Sequence, residues 1–197
     1  MTGEESGTGL RERKKQATRH ALQRAALRLA TAHGVEQVTV EAISEDAGVS
    51  TRTFFNYFGS KEEALVGDGT GLQRRVRAAL EAAPDQPLLP ILRRALHEAA
   101  ADVVDMREDM LLRKQLLSDN PALLPQHMAN FAAGERAIAE AVAEHLGADS
   151  EHELRPKLVA ATFTMVARVV FQHWHGSSDS ELAALIDEAF DRLEGGL

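Results

Sequence analysis

The sequence predicts an all-α protein, and three observations carry the prediction. Alanine and leucine abound while aromatic residues make up only 5% of the 197 positions, a composition that suits helix packed on helix. Apolar residues recur at three- and four-residue spacing through most of the chain, the period of a helix with one buried face. No stretch shows the apolar–polar alternation of a half-buried strand, and no internal repeat is visible.

The elements follow in order. The opening "MTGEESGTG" is polar and acidic, lacks the basic-then-apolar order of a signal peptide, and reads as a disordered tail over residues 1–9. Leu10 to His33 contains no Gly or Pro and repeats Leu22, Ala25, Ala26, Leu29 and Ala30 on one helical face, which Gly34 stops. Thr39 is a good N-cap for a short helix carrying Val40, Ile43 and Ala47, closed by Gly48. Ser50 can cap a second short helix through Phe58. Ser60, three residues before Glu63, predicts a capping box and a fourth helix.

Beyond it, "GDGTG" (Gly67 to Gly71) interrupts that fourth helix and "APDQPLLP" is a turn. Helical stretches are then predicted over 88–105, 107–117, 125–146, 153–175 and 180–193, about nine helices in all. Three early helices, two of them short and joined by a tight Gly-containing turn, describe a helix-turn-helix over residues 10–59. Residues 60–197 form the second domain.

Charge supports this division. Net charge is −8, yet Leu10 to Val66 holds nine basic residues against seven acidic, while the chain from Gly67 onward holds 13 against 21. A basic front on an acidic body suits a small DNA-binding module joined to a different second domain. The absence of cysteine excludes disulfides and thiolate metal sites and fits a reducing cytoplasm. No metal site and no cofactor are expected. No apolar run approaches the ~20 residues that cross a bilayer, so no membrane partner is expected.

Within "GVSTRTFFNYFGSKEEAL", Phe54 and Phe58 are four apart and belong to a core with Ala47, Val49 and Leu65. Thr51, Arg52, Thr53 and Asn56 are the outward candidates for base contacts. Arg52 alone can make a bidentate contact to guanine; its other reading is a phosphate or solvent contact. Arg11, Arg13, Lys14 and Lys15 form a basic arm suited to phosphates.

These residues resemble the TetR family of transcriptional regulators. The resemblance covers roughly Leu10 to Leu65, with Thr39, Ala47, Gly48, Val49, Phe54, Tyr57, Phe58, Lys61 and Leu65 at the family's spacing. It implies that Thr39, Tyr57 and Lys61 hold the DNA backbone. Lys61 also stands in the first turn of a helix, whose free N–H groups favour an anion. Phe55 departs from the tyrosine common at its position, so only an apolar contact is carried over to it.

The rest of the chain is similar to regulators related to the mycofactocin regulator, through "VGDGTGL", "LLRKQLLSDNPALLPQHM", "ERAIAEAVAEHLGA" and a helix ending in "HW". That similarity implies a small apolar effector of the fatty acid or acyl-CoA kind. Met106, Met110, Leu112, Leu116, Met128, Phe131, Phe163, Met165, Val166, Val170 and Trp174 either line an elongated cavity for it or fill a core. The last two helices look like the family's dimerisation pair, implying an interface of Val169, Leu182, Leu185, Ile186, Ala189 and Phe190. A homodimer would present two recognition helices to a palindromic operator in double-stranded DNA.

The glycines at 67, 69 and 71 predict a kink that is either a moving hinge or static. Repression rather than activation is the family default. Catalysis finds no support: His97-Glu98 and His152-Glu153 begin like a zinc-protease helix but end in Ala101 and Pro156. A helical adaptor without a DNA role would leave the basic front unexplained.

Overall fold

The computed structural model describes residues 5–67, 70–105, 107–149, 152–174 and 179–196. Ten α-helices and two 3-10 turns form among these residues, with no strand. The helices are α1 (Glu5–His33), α2 (Val40–Asp46), α3 (Thr51–Phe55), α4 (Lys61–Val66), α5 (Thr70–Glu81), α6 (Leu88–Asp105), α7 (Arg107–Asp119), α8 (Leu124–Leu146), α9 (Leu154–His173) and α10 (Asp179–Gly195). The tenth helix arises because the glycine run divides the predicted fourth one. Gly67 ends α4 at φ 74°, a left-handed conformation that costs little without a Cβ, and α5 starts afresh at Thr70. Asp68 and Gly69 lie outside the described residues.

Helix α1 reaches back to Glu5, into the segment expected to be a tail; Met1 to Glu4 lie outside the described residues. Extending an existing helix fixes one residue per hydrogen bond gained.

The chain divides into two compact units, Met1–Asp68 with Glu108–Met128, and Gly69–Arg107 with Ala129–Leu197. The boundary therefore falls at 68/69 rather than the expected 59/60. The reason is visible in the core of the first unit: Ala64, Leu65 and Val66 of α4 are buried with Leu22, Phe54 and Phe58. Leu116 and Leu123 join the same cluster from the later segment. Polar ties reinforce it, with Arg24 paired to Asp109 at 3.1 Å and Arg113 donating to the Leu65 carbonyl at 3.2 Å.

In the second unit α5 packs on α6, and α10 packs on both α6 and α9. Its core includes Ile91, Leu96, Ile138, Val142, Phe163 and Phe190. This packing corrects part of the expected dimer interface. Leu182, Ile186 and Phe190 are 1%, 0% and 1% exposed within the single chain, so the α10 stripe is used up inside its own unit. Leu185 and Ala189 are half-buried, and Val169 stays exposed.

Candidate nucleic-acid interface

Three caps set the register of the reading head. The Thr39 hydroxyl accepts from Ala42 N at 3.1 Å and starts α2. Helix α2 ends in a Schellman turn: Val49 N bonds the Ser44 carbonyl at 2.9 Å and Gly48 N bonds that of Glu45 at 3.0 Å, with Gly48 at φ 68°. Ser50 caps α3 by accepting from Thr53 N at 3.0 Å. The predicted box at α4 forms with a shift of one residue. Ser60 accepts from Glu63 N at 3.2 Å, while the Glu63 carboxylate reaches Gly59 N at 2.7 Å.

Helix α3 is only Thr51–Phe55, and Asn56 and Tyr57 follow in a turn rather than continuing the helix to Phe58. The short helix is nevertheless pinned. Phe54 and Phe58 are 0% and 2% exposed and their ring centroids lie 5.6 Å apart, and the Arg19 guanidinium of α1 lies 4.4 Å above the Phe58 ring. Each buried phenyl contributes roughly 1.5–3 kcal/mol. Arg28 pairs with Asp46, tying α1 to the end of α2.

On that mount Thr51, Arg52 and Asn56 are exposed, as expected for groups that read bases. Thr53 is not: it is half-buried, and its hydroxyl lies 2.8 Å from Ser50 Oγ because the third residue of a helix closes back on its cap. Arg11, Lys14 and Lys15 are exposed on one face of α1, whereas the Arg13 side chain lies outside the described set. Tyr57 is half-buried at the rim of the core.

Lys61 behaves differently from the phosphate contact expected of it. Its ammonium donates to the carbonyls of Val35 and Val38, at 3.1 and 2.9 Å, and so braces the start of α4 against the turn before α2. An ammonium has three donors, and these bonds account for two.

Of the eleven residues expected around an effector, the ten described ones divide between the two units. Leu116 is core of the reading head, since the segment bearing it folds with that unit. Met110 and Leu112 are half-buried in the same unit, and Met128 is 60% exposed. In the second unit Phe131 and Met165 are exposed, while Phe163, Val166, Val170 and Trp174 are buried. On α9, Met165 lies on the face opposite Phe163, 200° round the helix, and that accounts for its exposure. Met106 lies outside the described residues. A depression of about 370 Å³ does lie between α6 and α10, lined by Pro90, Arg93, Arg94, His97 and Glu194, but it is charged. Sequence reasoning missed that cluster, in which Arg93 meets Asp187, Asp191 and Glu194. Partners about 100 residues apart leave no local signal.

Residues 22–66 match the description of bacterial regulatory proteins of the tetR family, and residues 86–197 match that of the MftR C-terminal domain. The chain belongs to the TetR family. It is 34% identical over 199 residues to the HTH-type transcriptional regulator TcmR of Streptomyces glaucescens, covering 95% of this chain and 88% of that one. It is 29% identical over 188 residues to MftR of Mycobacterium tuberculosis, a protein named for transcriptional regulation of mycofactocin biosynthesis, covering 94% and 93%. A TetR-family regulator from Mesorhizobium loti shares the fold, with a TM-score of 0.55 at 16% identity over 92% of this chain and 96% of that one. This TetR-family protein is therefore a DNA-binding transcriptional regulator and not an enzyme. None of its described helices is long and apolar enough to cross a membrane.

Proposed function

We propose that this regulator is a repressor that reads a palindromic operator as a homodimer and is released by a small apolar effector. The observation that carries the reading is the division of α3 and the turn after it. Phe54 and Phe58 are held in the core while Thr51, Arg52 and Asn56 are left exposed, as are the basic Arg11, Lys14 and Lys15 of α1. Arg52 is the guanine-reading candidate, and the hydroxyls of Thr39 and Tyr57 with the remaining donor of Lys61 reach phosphates. Site selection with the full-length protein tests this. A palindrome should be enriched, bound with steep salt dependence, and weakened by Arg52→Ala at one defined base pair. Binding that is blind to sequence would refute it.

The dimer reading is supported by α9, where Leu154, Leu158, Met165 and Val169 are 68%, 54%, 50% and 50% exposed along one face. A second copy of the same face is the natural cover for such a stripe. For the effector, the support is the buried apolar face of the same helix, Phe163, Val166 and Val170, with Trp174 just past its end, within the MftR-like domain. A fatty acid or acyl-CoA is the class that fits an apolar lining. Extraction of the purified protein followed by mass spectrometry should recover an acyl-chain compound, and a purely polar extract would remove that class. The site of action is where the chromosome is, in the cytoplasm.

The break between α4 and α5 falls at the boundary between the two units, and we read it as the hinge through which an effector acts. Gly71→Ala, where nothing lies within 4 Å of the added Cβ, should stiffen α5 and blunt effector release. An unchanged response would leave only a static break.

A further inference from the structure

The exposed face of the recognition helix carries one side chain with no polar group. Phe55 is 59% exposed, and it shares its surface with Thr51, one helical turn earlier, and with Arg52 and Asn56. Its ring is not loose. It stands edge-on to the buried Phe54, with centroids 5.5 Å apart and planes at 86°, so it projects outward from a fixed base. A phenyl left 59% exposed is unfavourable in water, and it gains if binding buries the rest of its surface.

The major-groove edges of the four base pairs carry donors, acceptors and a single apolar group, the C5-methyl of thymine. A phenyl among three polar readers therefore has one complementary group to meet. We infer that Phe55 is a specificity-determining residue that selects thymine through this methyl. The inference rests on the proposal that α3 reads bases. Phe55 is three residues beyond Arg52, roughly 4.5 Å along the helix, and base pairs stack at about 3.4 Å. The thymine then lies within one or two base pairs of the guanine held by Arg52.

The experiment uses the duplex selected by full-length wild-type protein. Each thymine is replaced in turn by uracil, which deletes the methyl and leaves the pairing intact. One thymine per half-site, adjacent to the Arg52 position, should weaken wild-type binding about fourfold on replacement, the equivalent of one buried methyl group. Phe55→Ala should bind the thymine duplex about tenfold or more weakly and bind thymine and uracil duplexes alike. Phe55→Leu keeps an apolar surface without the ring and should retain part of the discrimination. It also serves if the alanine variant melts abnormally.

Three results overturn the inference: no uracil position affects the wild type, uracil sensitivity survives in Phe55→Ala, or Phe55→Ala weakens selected and scrambled duplexes equally. The last would place the ring on the sugar–phosphate backbone. Failure to enrich any sequence would instead defeat the base-reading proposal itself, and the thymine contact with it.

Discussion

Lys61 braces the reading head from the start of α4. Its bonds to the Val35 and Val38 carbonyls join the start of α4 to the turn before α2, and charge-assisted bonds of this kind are worth about 1–2 kcal/mol when partly exposed. Lys61→Met should lower stability by about that amount in urea titrations. If Lys61 also holds a phosphate, the slope of log K against log salt should fall by about 0.9. An unchanged slope would mean a brace and nothing more. His127 gives a pH signature. Burial first, and the Arg113 guanidinium second, hold its pKa below the ordinary 6.5. The unfolded chain then takes up a proton near pH 6.5 that the folded chain resists, so this contribution is complete above 6.5 and is lost as pH falls below it. Between pH 7.5 and 5.5 the melting temperature of the wild type should drop further than that of His127→Gln.

Among elements, the turn between α2 and α3 is the most exacting. The Schellman bonds place Gly48 at φ 68°, and a Cβ there would meet nothing within 4 Å. The cost of Gly48→Ala is therefore backbone strain alone, about 1–2 kcal/mol. A urea midpoint shifted by that amount with an unchanged m-value would confirm it. A larger loss would show that α3 had moved, and operator affinity would fall with it. Helix α9 makes the opposite point about element reading. Its apolar residues occupy both sides, and only the fold separates Phe163, Val166 and Val170, which are buried, from Leu158, Met165 and Val169, which are not.

For the whole molecule, that exposed side predicts the state of assembly. Leu158→Arg with Val169→Arg places two charges on the stripe without touching the core of the chain. Sedimentation should show wild-type dimers converted to monomers whose circular dichroism is unchanged. Operator binding should weaken steeply, since each half-site is then held alone. A variant that remained dimeric would exclude this face. The candidate Leu182, Ile186 and Phe190 cannot supply the test, because charging them would unfold the unit they fill.

The sequence by itself determined the helical class, the caps at Thr39, Ser50 and Ser60, the pinning of α3 by Phe54 and Phe58, and the family. These rest on bonds between residues three or four apart or on the helical period, so local order suffices to read them. Tertiary structure alone decided that residues 108–128 fold with the reading head, that α10 spends its apolar stripe inside its own unit, that Lys61 reaches two carbonyls, and that Phe55 stands exposed. Periodicity says that a face must be buried and not against what, because the partner is chosen by a chain path that brings together residues tens of positions apart.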